Sequence, residues 1–179
     1  MVARTARAPR PTRSAPPPLP PMAALDRTHH DMMQVLVDLR HLVEHLADEG
    51  VDATARSGAK AICQFFTGHA RQHHADEEAL VFPALLRKGD PVLTQHVLRL
   101  QQDHGWLEED WLELAPQLQA VAEGYSWYEI DALRHGVEVF TTLYHEHIAL
   151  EESLIYPEAK RAMDEEARAQ QQRTNGQGG

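Results

Sequence analysis

Between residues 22 and 165 the chain repeats apolar positions at helical spacing four times, each run closed by turn residues. The first seam starts near Leu25 and runs through His29, Met32, Leu36, Leu39, Val43 and Leu46. Steps of three and four place these on one helix face, which Gly50 ends. A second seam begins near Thr54 and passes through Cys63, Phe66, Ala70, His73, Glu77 and Leu80 until Arg87-Lys88-Gly89-Asp90-Pro91 breaks it; the basic residues there suit a helix C-terminus. A third, from about Val92, carries Leu100, His104, Leu107, Trp111, Leu114 and Leu118 and fades near Gly124. The fourth holds Leu133, Val137, Phe140, Tyr144, His147, Glu151 and Leu154. Nothing alternates with a period of two for long enough to make a strand. Four helices with short connections predict an all-α, antiparallel, up-down-up-down four-helix bundle.

Histidine and glutamate stand in these apolar seams, and they do so twice. His73-His74-Ala75-Asp76-Glu77-Glu78-Ala79-Leu80-Val81-Phe82-Pro83 returns as His147-Ile148-Ala149-Leu150-Glu151-Glu152-Ser153-Leu154-Ile155-Tyr156-Pro157, with six of eleven positions identical and three more conservative. His and Glu four residues apart rise about 6 Å along a helix and leave the same face, so each pair can converge on one ion. The repeat extends further. His29 precedes His73 by 44 residues and His104 precedes His147 by 43, and each leading histidine is followed by apolar residues at +3, +7, +10 and +14. Each half therefore offers three inward candidates: His29, His73 and Glu77 from the first, His104, His147 and Glu151 from the second.

Composition agrees with that reading. Twelve of 179 residues are histidine, spread from His29 to His147 rather than clustered in a tag. The net charge is −10, and residues 1–21 hold four arginines and no acid, which leaves 13 basic against 27 acidic side chains in the remainder. Such a body repels phosphate backbones and excludes nucleic acid as the expected partner; it suits a protein that gathers cations. Seven of the eleven prolines fall in residues 1–21, so that segment reads as a disordered arm without the apolar stretch of a secretory signal. Residues 22–165 read as the single domain and 166–179 as a flexible polar tail. The lone Cys63 fits a reducing cytoplasm, and no apolar run reaches the roughly 20 residues of a membrane span.

The donor set narrows the chemistry. Imidazole and carboxylate favour iron, manganese or zinc over copper(I). Two carboxylates can bridge two ions, and four histidines then leave open positions for an oxo or hydroxo bridge and a small exogenous ligand such as oxygen, peroxide or nitric oxide. Burying two carboxylates without a cation would cost several kcal/mol. Some neighbours stay ambiguous. His30 has a poorer apolar stripe than His29, His74 and Glu78 repeat the spacing one position out of register, and His69 lies one turn before His73. His41, His45, His96, His135 and His145 are expected to face solvent. Tyr144 is expected in the seam, as a hydrogen-bond donor or a core residue, and Trp106, Trp111 and Trp127 in packing.

A His early on the first helix, then His and Glu four apart before an aromatic-Pro close, with the whole unit doubled, resembles the hemerythrin-like family, the HHE cation-binding domain, over residues 22–165. That resemblance implies a four-helix bundle with a non-haem di-iron centre held by His29, His73, Glu77, His104, His147 and Glu151. Oxygen-carrying members have a second His on the third helix, four residues from the first, and an Asp five residues beyond the last His. Here Leu100 and Glu108 flank His104, and Glu151 stands at +4 from His147. The pattern is closer to regulatory, nitric-oxide-responsive and iron-centre-repair members. Repair members carry an added N-terminal domain with paired cysteines, which this sequence does not show. The expected function is thus binding or sensing oxygen or nitric oxide, or handling iron, with a di-iron reductase or repair enzyme and a metal-free interaction bundle as alternatives. The oligomeric state is left open.

Overall fold

The computed structural model describes residues 22–176, and every regular element among them is helical. The arm expected at residues 1–21 lies outside the described residues. Helix α1 spans Met22–Asp48. Helix α2 covers residues 53–87, with π-helical turns at Phe65–Ala70 and Glu77–Val81 between its α-helical stretches. Helix α3 is Pro91–Glu123, and α4 covers residues 130–176 with a π-helical turn at Glu151–Ile155. Each helix packs on its two neighbours in chain order, and α1 closes the square against α4.

Local chemistry places the corners. Asp52 caps α2 by accepting from the Ala55 amide at 2.7 Å, and Asp90 caps α3 by accepting from the Val92 and Leu93 amides. Pro91 follows at the first turn, where its missing N–H costs nothing. Gly124 ends α3 at φ 97°, a conformation that a side chain would strain. Gly136 lets α4 lie close to α3: a Cβ there would stand 3.0 Å from Leu114 Cδ2.

The π turns were not expected from the seams, and Pro83 and Pro157 account for two of them. A proline cannot donate to the carbonyl four residues back and its ring collides with it. The chain relieves this by shifting to i→i+5 bonding just before each proline: the Phe82 amide donates to the Glu77 carbonyl, and the Tyr156 amide to that of Glu151. The His73–Glu77 and His147–Glu151 spacings stay α-helical because both shifts begin at the glutamate. Such turns commonly mark functional positions in helices.

Two apolar clusters fill the bundle. One contains Leu25, Val81, Phe82, Leu85, Val97, Leu100, Ile155, Tyr156 and Ala159; the other, larger, runs from Met32 and Ala70 through Leu107, Phe140 and Tyr144 to Ile148. Helices α1 and α3 pass from the first cluster to the second, and α2 and α4 pass back, so neighbours are antiparallel as the sequence predicts. On each helix the chain crosses between the clusters at the six candidate residues. They form a buried polar layer.

One boundary differs. Helix α4 continues to Gly176, where the sequence reading placed a flexible tail from residue 166. Ala159 and Ala162 anchor its start in the core, and the Glu-, Ala-, Arg- and Gln-rich stretch beyond holds strong helix formers with no proline or glycine before Gly176. Two of the three tryptophans also depart from expectation: Trp111 is buried, whereas Trp106 is 47% and Trp127 is 70% exposed.

Candidate metal centre

The bundle brings all six sequence candidates together. Glu77 and Glu151 are fully buried, His29 and His147 are 1% exposed, His73 is 3% and His104 is 7%. Their donor atoms form two overlapping groups, His29–His73–Glu77–Glu151 and Glu77–His104–His147–Glu151, with all ligand-capable atoms in each group within 4.8 Å of one another. The two carboxylates belong to both groups. Glu77 presents Oε1 to His73 Nε2 at 3.3 Å and Oε2 to His104 Nε2 at 3.5 Å, while Glu151 Oε2 stands 3.1 Å from His29 Nε2 and 3.3 Å from His147 Nε2. Two positions flanked by two histidines each, with two carboxylates between them, is the arrangement the doubled motif predicts.

The inner atoms fit a cation better than they fit each other. His73 Nε2, His104 Nε2, His147 Nε2, Glu77 Oε2 and both Glu151 oxygens are buried with no hydrogen-bond partner among the described residues. Orphaned polar atoms of this kind carry a desolvation cost of about 1–3 kcal/mol each unless something pairs them. Cis donors on an octahedral ion with bonds near 2.1 Å stand about 3.0 Å apart, close to the Nε2–carboxylate separations here. Protons give the same indication of a demand for positive charge. Burial opposes the charged form of His147, but Glu151 and Asp103 outweigh it and hold the imidazole up at about 9. His29 is likewise raised despite burial, by Glu151, Glu77 and Glu152. Glu77 is held well below the usual carboxylate range against its own burial, chiefly by His104 and His73.

Outer carboxylates aim the rings. His104 Nδ1 donates to Glu78 Oε1 at 2.8 Å, and His29 Nδ1 faces Glu152 Oε1 at 3.2 Å. His147 Nδ1 stands 3.8 Å from Asp103 Oδ2, itself 1% exposed. Each contact turns the opposite nitrogen, Nε2, toward the centre and makes it a stronger donor. The Glu78 and Glu152 contacts exchange between halves of the chain: the Glu after the first motif orients a histidine of the second half, and the reverse holds.

Glu152 and Asp103 were not singled out in the sequence, and Glu78 only as an out-of-register repeat, although a signal was present: both copies read Glu-Glu, at Glu77-Glu78 and Glu151-Glu152. Glu78, set aside as out of register, orients the ring of His104. His74 stacks on His104 at 4.2 Å with its Nε2 buried and unpartnered among the described residues, and burial beside His104 and His147 keeps it neutral. It forms a third ligand-capable group with those two histidines. His30 and His69 are exposed and take no part, as are His41, His135 and His145. His45 and His96, expected in solvent, are half-buried; His45 bonds Asp52 at 3.0 Å. Tyr144 belongs to the core, packed against Phe66 and Phe140 with its ring perpendicular to that of His147. A small hollow of about 10 Å³, room for about one water, opens beside His74 between Phe66, Leu107, Trp111 and Tyr144.

A buried layer of four imidazoles and two shared carboxylates, crossing all four helices of an antiparallel bundle, defines a metal-binding helical bundle. The family follows from comparison: the chain belongs to the hemerythrin HHE cation binding domain family, whose model matches residues 21–159. Domains of this family bind a metal centre, typically iron. A protein of Haemophilus influenzae described as uncharacterized is 31% identical over 134 residues, which cover 75% of this chain and 76% of that protein. No solved structure matches. No helix among the described residues is long and apolar enough to cross a membrane.

Proposed function

We propose that this chain is a di-iron protein that binds or senses a small ligand, oxygen or nitric oxide, with His29 and His73 on one iron, His104 and His147 on the other, and Glu77 and Glu151 bridging. The observation that carries this reading is the pair of overlapping donor groups that share both carboxylates. None of the donor groups contains all four of these histidines, so an ion in either shared group would leave two of them unused. An all-nitrogen and oxygen donor set suits iron, with manganese and zinc as the competing ions. Bound iron would supply open coordination positions and exchangeable electrons to such a ligand.

The chain's own residues do the rest. Glu78 and Glu152 orient imidazoles, and Asp103 holds positive charge near His147. The two apolar clusters above and below the layer exclude bulk water from it, so only small molecules fit beside it. Arg99 pairs with Asp103 and Glu146 on the outside, and Arg71, paired with Glu108, lines the hollow beside His74.

Anaerobic optical spectroscopy of the iron-loaded, reduced protein tests this. Addition and removal of oxygen or nitric oxide should give reversible spectral changes. Continuous consumption of the added ligand would assign the chain to the enzymes instead.

A further inference from the structure

The two halves of the layer differ at one hydroxyl. Tyr156 stacks on His29, with ring centroids 4.9 Å apart and planes 8° apart, and Phe82 stacks on His104 at 5.7 Å and 16°. The two aromatics are counterparts in the doubled motif and each is 1% exposed. The Tyr156 hydroxyl lies 3.0 Å from His29 Nε2 and donates to Glu77 Oε1. Both atoms belong to the His29–His73 position. A hydroxyl in hydrogen-bond contact with two donor atoms that face one ion position stands on the side of that position where a further ligand would approach. Phe82 brings only ring carbons to the other position.

The opposite asymmetry holds for histidine. His74 adds a ring nitrogen within 4.8 Å of those of His104 and His147, whereas its counterpart in the second half is Ile148, which has none. One position thus has a phenol beside it. The other is faced by an imidazole.

Resting on the di-iron reading, we infer that Tyr156 occupies the coordination space of the His29–His73 position and so directs an exogenous small ligand to the His104–His147 position. Phe82 places no oxygen at that second position, and His74 stands beside it with a buried nitrogen that has no partner among the described residues. Tyr156 is a selectivity residue in this account: it decides which of two chemically similar positions accepts a ligand.

The test uses azide, a small anion that binds open ferric positions, with the full-length, iron-loaded and oxidised chain. Iron content is measured first, and Mössbauer spectroscopy then counts how many iron environments azide alters. Wild type should show two unlike irons, of which azide changes one. In Tyr156→Phe azide should change both, taking its stoichiometry from about one to about two per chain, and in Phe82→Tyr its affinity should fall by about tenfold or more. Two irons with the same azide response in wild type and Tyr156→Phe would overturn the inference and leave the di-iron reading standing. Phe82→Tyr that keeps two irons and wild-type azide affinity would do the same. Wild type with less than half an equivalent of iron would overturn both.

Discussion

Replacing Glu78 with Ala separates a carboxylate that only aims a ligand from one that bridges. Glu78 accepts from His104 Nδ1 at 2.8 Å, and Glu152 stands 3.2 Å from His29 Nδ1. A hydrogen bond to a charged group contributes roughly 1.5–3 kcal/mol. Both glutamates are partly in water, with side chains 43% and 54% exposed, so screening leaves about 1 kcal/mol of fold stability at each. Metal affinity should suffer more, because the ring loses its fixed orientation and some basicity. Losses of about 10- to 100-fold are typical when such an outer partner is removed, or about 1.4–2.8 kcal/mol. The assay is an anaerobic competition of ferrous ion against a chromophoric chelator, which resolves the two equivalents. Glu78→Ala should weaken one equivalent and Glu152→Ala, whose contact is longer, should weaken the other by a smaller factor. The double variant should weaken both. Wild-type affinity for both equivalents in Glu78→Ala would refute the orienting role.

Other outcomes follow from the same geometry. Glu77→Ala and Glu151→Ala each remove a carboxylate shared by both donor groups, and iron content should fall below about one equivalent in each; iron retention equal to that of Glu78→Ala would show that the register is wrong. In the metal-free chain, His147 is raised from 6.5 to about 9, so its contribution is complete below pH 6.5 and lost as pH rises through 9. Glu77 is held below 4.5, so its contribution is present above that value and lost as pH falls through the depressed one. The melting temperature of chelator-treated protein should therefore peak between pH 4.5 and 6.5 and decline toward 9, while the iron-loaded protein should lose metal on acidification; a metal-free Tm that rises from pH 6.5 to 9 would contradict the charge assignment. Phe66, 3% exposed, packs against Trp111 and Phe140 with centroids 5.0 Å away in each case. Phe66→Ala should cost about 3–5 kcal/mol and lower Tm by roughly 6–20 °C with iron stoichiometry kept, and a shift under about 3 °C would contradict that packing.

The six inner residues were legible because they break an apolar pattern. A histidine or glutamate in a seam that otherwise reads Leu, Met and Phe has to be inside, and the doubled spacing placed both pairs at the same depth. The helices and their antiparallel order followed from that periodicity and from the turn chemistry at Gly50, Gly89-Asp90-Pro91 and Gly124. The outer groups were not legible in this way. Glu78, Glu152 and Asp103 come from the polar or half-polar flanks of the helices, where a carboxylate carries no signal of what it touches across the bundle. His74 is off the seam by one residue and is turned inward by the packing of α2 against α3 and α4. Tyr156 was visible as a conservative change from Phe82, but whether its hydroxyl meets solvent or a ligand depends on the depth at which α4 crosses the layer. The π turns escaped because they change hydrogen bonding without changing which residues face the core. The helix beyond residue 165 carries little apolar seam, and helix propensity alone marks it.

The iron content of the full-length chain, expressed with iron and purified without chelator, tests the central claim most directly. About two irons per chain are expected, falling in the Glu77→Ala and Glu151→Ala variants. Less than half an equivalent of any transition metal in the wild-type chain would contradict the account.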